Sequence, residues 1–227
     1  VERWWRDQPD DLAHSLVLEP RDAPVALVGL CMTIPRMRDG ALWLAEIAFR
    51  SAGERRNGLL YVAADAGPHP VALLLHGNPG NERNLDVAQA IRRAGYTVLY
   101  FDYRGNWGSG GTFSRSHALE DVAAAVNWVR SAAVAGQFGL DTARIALVGH
   151  SMGGWLALMS AAADPTVACV GALDARNVGA YGRQLQRDRS AESALVAAND
   201  SLTAPGAPYR AEEGGAGARA MLEDGLV

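Results

Sequence analysis

Apolar positions fall into short unbroken runs separated by stretches of helical period, an order that predicts alternating buried strands and helices. Continuous runs at residues 71–75, 97–101, 145–148 and 167–173 read as buried strands. Between the first two, a helix of about fourteen residues is expected after Asn81, with Leu85, Ala88 and Ile91 on one face. Leu119, Val122, Val126 and Val129 recur at intervals of three and four and predict a core-facing helix over 117–134. A further helix runs from Ser151 to Ala163, where Asp164 and Pro165 stop it. Before these units, 44–49 and 58–62 read as a hairpin joined by the polar connector 51–57.

Strands of this buried type alternating with helices predict an α/β fold: a mostly parallel sheet covered on both faces, with antiparallel strands at its start. Ligands bind such sheets at the carboxyl ends of the strands, where His76, Asp102, Ser151 and Asp174 all fall. Three regions follow: a lead segment over 1–40 containing Trp4 and Trp5, a core over 41–176, and a cap, lid or unpaired tail over 177–227. The tail holds a helical pattern at 184–198 and a loose, glycine-rich stretch at 205–217.

The chemistry is concentrated in Gly149-His150-Ser151-Met152-Gly153-Gly154. Gly149, Ser151 and Gly153 give G-x-S-x-G between a buried strand and a helix, the spacing of a nucleophile elbow. Strand and helix backbones approach closely there, so glycine flanks the serine at two places on either side. The turn holds the hydroxyl up and aims the Met152 amide, at the helix start, toward an incoming oxyanion. The loop His76-Gly77-Asn78-Pro79-Gly80 supplies the Asn78 amide as second donor, and Gly77 and Gly80 let the backbone approach a substrate. The glycine-rich loop 102–111 lacks both a following lysine and G-x-G-x-x-G spacing, so it is read as lining the mouth of the site, with Trp107 as a pocket wall or simple packing.

Composition narrows the chemistry further. All 21 basic residues among the 227 are arginine; without lysine, a Ser-Lys dyad, a Schiff base and a P-loop are excluded. A net charge of −4 gives no reason to expect nucleic acid as partner. Cys31 and Cys169 have no metal-ligand spacing, and Cys169 reads as a small core residue. No apolar run is long enough to span a membrane. A cytoplasmic location is expected, with a cleaved leader left open by a chain that begins at Val1. His69, between prolines, reads as a solvated loop residue.

Taken together, His76 to Gly80, Asp102-Tyr103-Arg104-Gly105 and Gly149 to Gly154 resemble the α/β-hydrolase superfamily, and within it the serine esterases and acylaminoacyl-peptidase-like hydrolases. The resemblance covers about residues 59–174. It implies the α/β-hydrolase fold, Ser151 as nucleophile and the amides of Asn78 and Met152 as oxyanion hole, with His76 structural and no metal or organic cofactor. Haloalkane dehalogenases share a similar His-Gly-Asn-Pro loop but place an aspartate where this chain has Ser151. The superfamily order is Ser, then Asp or Glu, then His, whereas the histidines here stand at 14, 69, 76, 117 and 150, none beyond Ser151. His150 is expected to turn from the hydroxyl into the core. Asp174 is the one visible candidate for the acid. The base and the last strands are accordingly expected to lie outside these 227 residues, leaving hydrolysis near background. The expected substrate is a small carboxylic ester, with a peptide-like substrate or a non-catalytic binding role as alternatives.

Overall fold

The computed structural model describes residues 43–180, apart from Asp65, Pro79 and Asn81, together with Arg187. The lead segment over 1–40, with Trp4, Trp5 and Cys31, and the patterns at 184–198 and 205–217 lie outside the described residues.

Three apolar runs form the centre of one six-stranded sheet: β3 (His69–Leu75), β4 (Thr97–Phe101) and β5 (Leu140–His150). β1 (Trp43–Ser51) and β2 (Glu54–Val62) precede them, β6 (Cys169–Leu173) follows, and the order is β1-β2-β4-β3-β5-β6. β3 pairs in parallel with β4 and β5, and β5 with β6; β1-β2 and β2-β4 are antiparallel. The chain leaves β3 to one side for β4, then crosses back to the other side for β5. The carboxyl end of β3 is therefore the point where connections diverge and a crevice opens.

Alternation along β3 decides which helices cover which face. Val71, Leu73 and Leu75 point to the side packed by α2 (Arg115–Arg130), α3 (Ala132–Phe138) and α4 (Met152–Ala163). Ala72 and Leu74 point to the side covered by α1 (Leu85–Arg93), through Leu85, Ala88 and Ile91. Each fully buried leucine contributes roughly 1.5–3 kcal/mol, and Leu60, Leu73, Leu75, Leu99 and Leu147 all share the larger core.

Several elements depart from expectation for local reasons. The 51–57 connector is a two-residue turn: Ala52 and Gly53, at φ 48° and 82°, reverse the chain, and Glu54 to Asn57 are strand residues paired with β1. Positive φ at both central positions matches the twist of the flanking strands. α1 spans nine residues instead of about fourteen, because Asn84 before it is left-handed at φ 50°. The helix expected over 117–134 begins at Arg115, capped by the Ser114 hydroxyl on the His117 N–H, and breaks at Ser131, which is extended and caps α3. His69 starts β3, its N–H donating to the Gly139 carbonyl, so it is no solvated loop residue. β6 is shorter than expected and largely exposed: Cys169 is a surface residue, and Leu173 is 46% exposed.

Candidate active site

Ser151 sits between β5 and α4 with φ 55° and ψ −116°, a conformation L-residues rarely hold, and its side chain is half-buried. The flanking glycines show why the chain can bend there. A Cβ on Gly149 would strike the Gly153 carbonyl, and one on Gly153 would strike the Leu75 carbonyl and lie 2.7 Å from that of His76. A Cβ on Gly154 would meet that of Ala175 at 2.8 Å. Main chain rests on main chain, and the Ser151 N–H donates to Leu173 O at 3.0 Å while its carbonyl accepts from Arg176 N at 3.1 Å.

Met152 opens α4, so its amide belongs to the first-turn N–H groups that lack an intrahelical acceptor. The 76–80 loop lies directly alongside: a Cβ on Gly77 would be 3.3 Å from Ser151 Cβ. Asn78, next in that loop, is exposed. Asp174 is exposed at φ 45°, immediately after the residue whose carbonyl holds Ser151. Gly80, at φ 87°, leaves no space for a side chain over the His76 ring or the Trp107 indole, whose Nε1 would be 2.9 Å from a Cβ there. Trp107 is half-buried.

His76 is fully buried and neutral. Its Nδ1–H donates to the Gly77 carbonyl at 2.7 Å, and burial pushes its pKa down to about 4. With its one proton so placed, Nε2 has none to give Asp102, 4.0 Å away. Asp102 instead accepts from Tyr100 Oη at 2.8 Å; burial raises its pKa, and burial with the neighbouring carboxylate raises that of Tyr100. Tyr103 Oη donates to the His76 carbonyl at 3.0 Å, and the two rings pack at a 35° tilt with centroids 4.2 Å apart. His76 thus braces the loop. His150, expected in the core, is half-buried, its ring facing Gly77.

Sequence reasoning missed the support behind the 102–111 loop. Asp121 on α2 is fully buried and accepts from Arg104 N at 2.7 Å, Arg104 Nε at 2.8 Å and Arg56 Nη1 at 3.4 Å. Arg104 Nη2 also donates to Glu120 and to the His117 carbonyl. One signal was present: Asp121 lies on the same helical stripe as Ala118, Val122 and Ala125, and a charge on a buried stripe demands a partner. Among the described residues, no three His, Cys, Asp or Glu side chains cluster to hold a metal, and no helix is long and apolar enough to cross a membrane.

With this geometry in place, the comparison with known proteins is decisive for the family. A model of the alpha/beta hydrolase family matches residues 72–225, more than half of the chain. The chain belongs to the alpha/beta hydrolase family. The chain is 34% identical over 119 residues to the uncharacterised protein Rv2307c of Mycobacterium tuberculosis, covering 52% of this chain and 41% of that protein. It is 30% identical over 132 residues to lysophosphatidylserine lipase ABHD12 of Rattus norvegicus, covering 56% and 30%. The chain therefore spans less than half the length of these relatives. Among solved structures, the alpha/beta hydrolase GrgF from Penicillium sp. sh18 superposes with a TM-score of 0.50 at 26% identity, over 56% of this chain and 44% of that one.

Proposed function

We propose that this hydrolase acts on carboxylic esters through an acyl-enzyme on Ser151. In this reading Ser151 Oγ gives up its proton as it attacks the ester carbonyl carbon, the amides of Asn78 and Met152 hold the developing oxyanion, and collapse breaks the acyl–oxygen bond, the leaving oxygen taking a proton and departing as the alcohol. Water then adds to the acyl-serine and releases the acid. The observation that carries the reading is Ser151 at φ 55°, half-exposed on a bend whose glycines exclude side chains. Gly77, packed against the serine, supports Asn78 as second donor. Gly149 and Gly153 make the bend, Gly80 and His76 shape the loop, and Trp107 forms a pocket wall. A lipase among the relatives favours an ester over a peptide substrate.

Asp174, beside the serine backbone, is the proposed acid. The reading assigns no base among the described residues: His76 is buried with its proton on Gly77, and His117 Nδ1 bonds to the Thr112 carbonyl. Turnover by the 227-residue chain is accordingly expected near background, since an oxyanion hole without a base retains only residual catalysis. That absence favours a second reading, a hydrolase-like protein that binds without turning over. A fluorophosphonate probe followed by peptide mass spectrometry separates the two. Slow covalent label on Ser151 at high probe concentration, driven by the oxyanion hole alone and absent in Ser151→Ala, is expected. Folded protein that stays unlabelled overturns the enzymatic reading.

A further inference from the structure

Arg83 follows the 76–80 loop and precedes α1. Its guanidinium carbon lies 5.1 Å from the centre of the Trp107 ring and 5.8 Å from that of Tyr100. The residue is half-buried, and among the described residues it makes no hydrogen bond or ion pair. The carboxylate its charge most affects, Asp102, is engaged by Tyr100 Oη. Such an arrangement is unusual for an arginine, whose planar fork normally meets a carboxylate or phosphate when it leaves bulk water. Two aromatic rings within cation–π reach hold the guanidinium by attraction to their faces, which leaves its N–H groups able to donate. A cation fixed in advance binds an anion with less loss of side-chain freedom.

Its position ties it to the candidate active site. Trp107 packs against Gly80, Gly80 against His76, and Gly77 of the same loop against Ser151. The charge is also felt at His76, Tyr100 and Tyr61. Resting on the ester-hydrolase reading above, we propose that Arg83 is an anion-recognising residue selecting esters that carry an oxyanion, carboxylate or phosphate, remote from the scissile bond.

The test is calorimetric titration of the full chain carrying Ser151→Ala, so that no probe is consumed, with monomethyl glutarate, methyl 3-phosphonopropionate and the uncharged dimethyl glutarate. At low ionic strength at least one anionic ester is expected to bind roughly tenfold tighter than the neutral one, and the tighter of the two identifies the anion. Arg83→Gln abolishes that preference, and Arg83→Lys keeps only part of it; circular dichroism confirms that the variants fold. Equal binding of charged and neutral esters, or a preference that survives Arg83→Gln, overturns the assignment. Fluorophosphonate labelling of the Ser151 protein keeps the two readings apart: label without an anion preference sinks Arg83 alone, whereas an Arg83-dependent preference without label sinks the hydrolase reading.

Discussion

Replacing Asp121 with asparagine keeps the side-chain shape and removes the charge that holds the loop after β4 to α2. Asp121 and Arg56 are both fully buried, and three donors converge on the two carboxylate oxygens at 2.7, 2.8 and 3.4 Å. An asparagine serves either the Arg104 backbone N–H or its Nε, and its NH2 then faces a donor. Arg104 retains Glu120 and the His117 carbonyl, but Arg56 keeps only the Gly110 carbonyl at 2.7 Å, and its Nε already has no partner. One charge-assisted hydrogen bond is lost and the buried Arg56 guanidinium keeps only the charge of Glu54, which together cost about 3–5 kcal/mol. Total stability of a domain is roughly 5–15 kcal/mol, so the effect is large. Urea unfolding followed by tryptophan fluorescence should show the midpoint falling by about 2 M. The double variant Arg56→Met/Asp121→Leu removes both charges and should be more stable than Asp121→Asn alone. A loss below about 1 kcal/mol for Asp121→Asn, or a double variant at the sum of the single losses, would refute the reasoning.

Three further outcomes follow from the same geometry. His76 has a folded pKa of about 4 against an ordinary 6.5, so the unfolded chain binds more protons between those values. The stability due to neutral His76 is complete above pH 6.5 and is lost as pH falls through 4, about 3 kcal/mol in all. Asp102, held high by burial, works in the opposite direction, so the check is the difference in urea stability between wild type and His76→Asn, which should fall by about 3 kcal/mol from above that interval to below it. Ala52→Asn relieves a left-handed alanine beside Gly53 and should gain about 1 kcal/mol, read as a rise of roughly 2–4 °C in the unfolding midpoint; an unchanged midpoint counts against the turn assignment. Gly153→Ala forces a methyl group onto the Leu75 carbonyl and should cost at least about 1–3 kcal/mol, measured by thermal unfolding, together with any fluorophosphonate label on Ser151.

What could be read from the chain depended on how local its cause was. β3, β4 and β5 are legible because a strand covered on both faces is apolar at nearly every position. The bend at Ser151 is legible because Gly149 and Gly153 answer to the backbone two residues away. The hairpin register is hidden because Arg56, a strand residue, owes its burial to Asp121, 65 positions later. A polar stretch with a distant buried partner looks like a loop. Cys169 and Leu173 read as core because an apolar strand shows nothing of whether a neighbour covers it. Arg83 carries no signature of its own, since Trp107 and Tyr100 reach it through the turn after β4 and the end of that strand.

The contacts at Gly149 and Gly153 pass no side chain between β3, β5 and α4. The attitude of Ser151 is set by main-chain contact there, whereas Trp107 and Arg83 are carried by the loops flanking β4 and α1. On the proposed reading, variation in those loops would recut the shape and charge of the entrance while the hinge beneath it stays put, so that selectivity and reactivity would be two separately adjustable parts of one protein.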